Sequence, residues 1–148
     1  MKETEPTLGL SLTVKNGNAA LEFYAQAFGA QELYRMPLPD GSIAHAEFMI
    51  GNTKIYLSEG CPEWHGAPMP EGEQASCLFG LSIESCDESF ARAVAAGGVT
   101  LKEPADQPWG SRSAMIRDPY GYRWSFSQFL EEVSPEEMCR RMKALSEK

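Results

Sequence analysis

"LGLSLTVKNGNAALEFYAQAFG", residues 8–29, decides the fold, because its pattern returns at residues 77–98 as "CLFGLSIESCDESFARAVAAGG". In the first copy Leu8, Leu10, Leu12 and Val14 alternate with Gly9, Ser11 and Thr13, the period of a strand with one buried face. Asn16-Gly17-Asn18 breaks the alternation and offers a helix cap. Leu21, Tyr24, Ala25 and Phe28 then recur at helical spacing, and Gly29 closes the helix. In the second copy Leu12-Thr13-Val14 falls on Leu81-Ser82-Ile83, 69 residues on. At the same offset the helix face falls on Phe90, Ala93, Val94 and Gly97, and Gly29 falls on Gly98. Ser85 and Glu88 stand three apart, as in a capping box.

The surrounding segments repeat too. Strands are expected near 31–36, 42–50 and 53–58, with turns at Pro39-Asp40-Gly41 and Gly51-Asn52, and again near 99–103, 111–117 and 122–128. The order predicts an α+β chain of two βαβββ modules, at 1–58 and 77–130. Between them lies 59–76, "EGCPEWHGAPMPEGEQAS", a linker or mobile loop with three prolines and three glycines. The tail, 131–148, reads as a helix opened by Ser134-Pro135 with Glu136 and Glu137 near its positive end. "RDPYGYRWSF", 117–126, combines a tight Asp-Pro-Tyr-Gly turn with an alternating strand. Tyr122, Trp124 and Phe126 should face the helix layer, and Arg123, Ser125 and Ser127 the opposite side.

The chain has 148 residues, 43% apolar and 23% charged, with a formal net charge of −8. That size suits one domain or two small halves. The acidity argues against nucleic acid or an anionic membrane as partner and would favour cationic ligands. The four cysteines, Cys61, Cys77, Cys86 and Cys139, form no CxxC pair and have no histidine at finger spacing. With neither a signal-like start nor a long apolar span, a cytoplasmic protein with reduced thiols is expected.

Paired βαβββ modules, together with "LTVKNGNAALEFYAQAFGAQELYR", "HAEFMIG", "ARAVAAGG" and "QPWGSRSAMIRDPYGYRWSF", resemble the vicinal oxygen chelate superfamily of glyoxalase I, extradiol dioxygenases and bleomycin-resistance proteins. The resemblance spans about 8–128 and is nearest the PhnB-like subgroup. It implies a curved mixed sheet with the helices outside and the site inside. Metal-dependent members carry His or Gln, Glu, His and Glu on the first and last strands of each module, binding a divalent ion that polarises vicinal oxygens. Carried onto this chain, those positions are Gly9, Tyr56, Leu78 and Ser125. Two lack a side-chain donor and two offer only neutral hydroxyls, so the reading is no metal and no cofactor.

Other residues remain as candidates. His45 and Glu47 lie two apart on one strand, with Ala44, Ala46, Phe48 and Ile50 toward the core, and could form an acid–base pair. The alternative is a cross-strand polar pair. Arg112 and Trp109 of "WGSR" stand near the site by resemblance, where they could meet a carboxylate or phosphonate and a planar ring. The alternatives are a structural salt bridge and loop packing. Trp64 and His65 could form a lid, or simply an exposed loop. Tyr34, Tyr56, Leu78 and Trp109 would supply walls, and Ser11, His45, Glu47, Arg112 and Ser125 polar groups.

The leading expectation is a homodimer that holds a small organic molecule between its modules. The competing readings are a superfamily lyase, isomerase or dioxygenase working through His45 and Glu47 or rearranged metal ligands, and an interaction module whose cavity has collapsed.

Overall fold

The computed structural model describes residues 6–64 and 66–148. They divide into two compact units, one ending at Gln74 and the other beginning at Ala75. The fold is α+β, with two four-stranded mixed sheets and three helices among the described residues.

The first unit runs β1 (Leu10–Thr13), α1 (Gly17–Phe28), β2 (Gln31–Pro37), β3 (Ile43–Ile50) and β4 (Thr53–Ser58). Its strand order is β1-β4-β3-β2, with β1 parallel to β4 and the other pairs antiparallel. The second unit runs β5 (Leu78–Ser82), α2 (Cys86–Ala95), β6 (Val99–Asp106), β7 (Ser111–Arg117), β8 (Arg123–Phe129) and α3 (Pro135–Ser146). Its order is β5-β8-β7-β6, with β5 parallel to β8.

The expected repeat holds at the level of hydrogen bonds. Leu12 pairs with Leu57, and Leu81 with Phe126. Asn16 caps α1 through its side chain, as Ser85 caps α2. Gly17 N donates to the Glu59 carboxylate at 2.8 Å, and at the equivalent place Cys86 N donates to Gln128 Oε1 at 2.9 Å. In both units a side chain from just beyond the last strand, or from its end, satisfies an amide at the start of the helix. Glu59 also accepts from Ile43 N at 3.0 Å, so one carboxylate ties α1 to β3.

Helices α1 and α2 each cover one face of their own sheet, and the core of each unit lies between. In the first unit Leu12, Val14, Leu21, Tyr24, Phe48 and Leu57 are buried, with Tyr24 stacked on Phe48 at 5.4 Å. In the second, Trp124, Phe126, Ile116 and Ala93 are buried. Each large apolar side chain buried here contributes about 1.5–3 kcal/mol.

Four details depart from the sequence reading. Leu8 precedes β1 and is exposed, because pairing with β4 begins only at Leu10. Ala25 and Val94 lie on the exposed sides of their helices, and the buried stripe of α1 runs instead through Gly17, Ala20, Leu21, Tyr24 and Ala27. On β3 it is Ile43, not Ala44, that is buried, because the register with β2 shifts between Met36 and Pro37 and changes the alternation. The left-handed glycine after α2 is Gly97 (φ 121°), not Gly98, since α2 is ten residues long where α1 is twelve.

The turn at Asp118 is organised by one carboxylate that is 1% exposed. Its Oδ1 accepts from Tyr120 N at 2.9 Å and Tyr122 N at 3.0 Å, and its Oδ2 accepts from Trp124 Nε1 at 2.9 Å. Trp124 is thereby fixed on the helix side and Ser125 on the other. The tail forms α3 as expected, capped by Ser134 and held to its own unit by Arg141, which donates to Pro108 O at 3.1 Å and Glu131 at 2.7 Å. No helix among the described residues is long and apolar enough to cross a membrane.

Candidate functional site

The helix-free face of each sheet is where the candidate residues gather, and register decides which they are, because direct cross-strand partners share a face. In the first unit Ser11 pairs with Tyr56, Tyr56 with Glu47 and Glu47 with Tyr34. These four form a single row across all four strands. His45 joins them two residues along β3, its Nε2 3.2 Å from Glu47 Oε1. The His45 ring lies 5.8 Å from that of Tyr56 and 6.4 Å from that of Tyr34. Lys54 Nζ is 3.7 Å from the other Glu47 oxygen and 5.2 Å from the Tyr56 ring centre. Ser11, Tyr34, His45, Glu47 and Tyr56 are thus brought together, with Lys54 added. Lys54 was legible as the residue two before Tyr56, on the same face.

The row exists because of a bulge. Glu32 pairs with Phe48 but Tyr34 pairs with Glu47, which leaves Leu33 as an extra residue in β2. Without it Tyr34 would point to the helix side.

The second unit carries the same device. Thr100 pairs with Ile116 but Lys102 pairs with Met115, so Leu101 is the extra residue and Lys102 turns to the helix-free face. The row there is Gly80, Ser125, Met115 and Lys102. This face holds a cavity of about 330 Å³ whose lining includes Leu78, Lys102, Trp109, Ser113, Met115 and Ser125. Trp109, in the turn between β6 and β7, and Ser127 also border a wider cavity of about 650 Å³, where Glu84, Glu131 and Glu132 supply carboxylates. Leu78, Trp109 and Ser125 are therefore brought together, and Lys102, Ser113 and Met115 were missed. Lys102 stands to β6 as Tyr34 stands to β2, the fourth residue of its strand in each case.

Arg112 lies elsewhere. It alternates with Ser113 on β7 and is on the helix-covered side, where it donates to Asp87 on α2 at 2.6 and 3.0 Å and to Asp106 at 2.9 Å. The two carboxylates hold its guanidinium above its ordinary value, and the hydrogen bonds from Arg112 hold the Asp87 carboxyl below the usual range. The salt-bridge alternative describes this geometry. Arg123 is engaged as well, donating to Ala75 O and Ser76 O. Burial, followed by the neighbouring Asp87, pushes the Cys86 thiol up.

The loop after β4 folds back on itself through a Cys61–Gly66 bridge, and Gly60 packs against Thr13 and Pro68. Trp64 projects from it, 81% exposed, while His65 lies outside the described residues. Ser58 is buried at the end of β4, and its Oγ has no hydrogen-bond partner among the described residues.

The four positions that the family resemblance reserves for metal ligands can now be tested on their surroundings. A Cβ added at Gly9 would touch the Tyr56 ring at 3.3 Å, so an aromatic side fills the place of a ligand side chain. Leu78 and Ser125 border the 330 Å³ cavity without a nitrogen or carboxylate donor between them. Among the described residues no group of three or more His, Cys, Asp and Glu side chains is arranged to hold a metal ion. These residues do not fit the divalent ion of the metal-dependent relatives.

Comparison with known proteins places this geometry in context. The family model described as Glyoxalase/Bleomycin resistance protein/Dioxygenase superfamily matches residues 8–126. The uncharacterized protein Mb0911c of Mycobacterium bovis is 34% identical over 142 residues, which cover 93% of this chain and 93% of that one. The crystal structure of a glyoxalase/bleomycin resistance protein/dioxygenase from Nocardioides superposes with a TM-score of 0.67 at 25% identity, covering 89% of each chain. The PhnB protein from Bacillus cereus superposes with a TM-score of 0.65, covering 83% of this chain and 99% of that one; at 13% identity this likeness concerns the fold alone.

Proposed function

We propose that this chain, which belongs to the Glyoxalase/Bleomycin resistance protein/Dioxygenase superfamily, is a metal-independent small-molecule-binding protein that acts by sequestration, without making or breaking a bond. The observation that carries this reading is the character of the four inherited ligand positions: Gly9, Tyr56, Leu78 and Ser125 offer no imidazole and no carboxylate. What they offer instead is wall. Leu78, Trp109 and Met115 give the second unit's cavity an apolar lining, and Ser113 and Ser125 give it hydroxyls. Such a mixture suits a compact organic ligand. A homodimer is the assembly carried with this reading, and analytical ultracentrifugation tests it separately.

A thermal-shift screen of aromatic acids, amines and phosphonates, run with and without a chelator, tests the proposal. A ligand that binds only the folded chain must raise its melting temperature, by an amount set by its concentration relative to Kd. At least one class is expected to stabilise the protein equally in the presence of chelator. Stabilisation that disappears with chelator would overturn metal independence, and none from any class would favour the interaction-module reading.

One observation favours a second reading, an enzyme. The His45 imidazole sits 3.2 Å from a carboxylate on an open face, between two tyrosine rings. With Nε2–H donated to Glu47, a ligand proton brought to Nδ1 would find a base oriented by that carboxylate. Turnover abolished by both His45→Ala and Glu47→Ala in a well-folded protein would decide for it.

A further inference from the structure

We propose that the cavity of the second unit takes an anionic ligand: a compact apolar or aromatic body bearing one carboxylate or similar acid group, with Lys102 as its counter-charge. This rests on the small-molecule-binding reading and names the ligand class.

The chain as a whole is acidic, with a net charge of −8. The cavity is not. Among the described residues that line it, Lys102 is the one charged side chain and none is a carboxylate. The position of Lys102 is built rather than incidental. In a regular ladder Lys102 would stand opposite Ala114, which is buried on the helix side; the extra residue Leu101 moves it opposite Met115 and onto the cavity face. Inserting one residue costs ladder pairing, and bulges of this kind are used to re-aim side chains. The same bulge recurs in the first unit, where the re-aimed residue is Tyr34. The two units therefore share the device and differ in what it delivers, a phenol in one and an ammonium in the other.

The other cations nearby are committed. Arg112 is held by Asp87 and Asp106 on the opposite face, and Arg123 by two carbonyl oxygens of the segment before β5. Lys102 has no ion pair among the described residues. An incoming anion would meet a lysine with its charge available, beside an exposed tryptophan face and the hydroxyls of Ser113 and Ser125. A cation would meet the same ammonium and be repelled. The ligand sign inferred from net charge is thus reversed at the site.

Isothermal titration of the full chain with three probes of one shape tests this: 2-naphthoate, the neutral 2-naphthamide and 2-naphthylmethylammonium. The acid is expected to bind about tenfold more tightly than the amide, the worth of one charge-assisted contact at a partly exposed site. The cation is expected to bind least. Lys102→Met keeps the apolar stem and should erase the acid's advantage, whereas Lys102→Arg should keep most of it. Lys102 is exposed, so both variants should fold, which circular dichroism checks. Equal binding of acid and amide, or a preference for the acid that survives in Lys102→Met, would overturn the ligand class and leave the binding reading standing. If none of the three binds, the binding reading fails for this cavity together with the ligand class.

Discussion

Replacing Asp118 with asparagine changes one atom and should cost a large part of the second unit's stability. The carboxylate is 1% exposed and uses both oxygens, Oδ1 for two backbone amides and Oδ2 for the Trp124 indole. An amide has a single oxygen. If it serves Tyr120 N and Tyr122 N, the –NH₂ faces the indole N–H at about 2.9 Å, donor against donor, inside the core. A hydrogen bond to a charged group is worth about 1.5–3 kcal/mol, and leaving a buried donor unpaired forfeits that amount. The two surviving bonds also lose their charge assistance, which roughly halves them. A loss of about 2–4 kcal/mol is therefore expected for Asp118→Asn, and more for Asp118→Ala, which removes both acceptor oxygens and the three hydrogen bonds described here. Urea unfolding followed by far-ultraviolet circular dichroism and by tryptophan emission would measure it. Asp106→Asn is the control, since that carboxylate is 69% exposed and its solvent-screened bridge to Arg112 should contribute little. A loss below about 1 kcal/mol for Asp118→Asn, or one no larger than the control's, would refute the assignment of the turn to this carboxylate.

Three further outcomes follow from the geometry. Asp87 should titrate below the ordinary carboxylate range because Arg112 favours its charged form, and Arg112→Gln should return it there, as read by carboxyl NMR. The corresponding stability is present above the unfolded-state pKa and is lost as pH falls through the folded one, so the variant should differ least from the parent in strong acid. An Ellman titration should modify the exposed Cys77 and Cys139 quickly, the half-buried Cys61 more slowly and Cys86 only on unfolding, since burial there outweighs the helix N-terminus. Prompt labelling of Cys86 would contradict this. Gly110→Ala would drive a Cβ into the Glu131 carbonyl oxygen at φ +85°, so segment 130–133 must move; a fall in melting temperature and a changed Trp109 environment are expected, and a crystal structure with that segment unmoved would contradict it.

How far the sequence reaches depends on whether the information is local or paired. The repeat was legible because strand, cap and helix face each leave their own periodic mark, and the matched pairs Leu12–Leu57 and Leu81–Phe126 keep the offset of 69. His45 and Glu47 were legible as neighbours because two residues apart on a strand is enough to share a face. The bulges at Leu33 and Leu101 were not, since an unpaired residue is defined by the partner strand and leaves no periodic mark. Lys102 was lost with them, whereas Tyr34 drew notice for its ring alone. Arg112 was misplaced for a different reason: the resemblance put it near the site, but its strand phase and Asp87, 25 residues earlier, send it to the other face. Net charge suggested cationic ligands because a sum over the surface contains no position.

The most direct test of the central claim is the affinity of purified chain for divalent metal, measured by titrating Mn²⁺, Zn²⁺ and Ni²⁺ into chelator-treated protein and assaying the protein as isolated by mass spectrometry. With Gly9, Tyr56, Leu78 and Ser125 at the inherited positions, metal content well below one per chain and no saturable tight binding are expected. Near-stoichiometric metal that survives dialysis, and whose removal abolishes binding of any ligand found in the thermal-shift screen, would contradict the account.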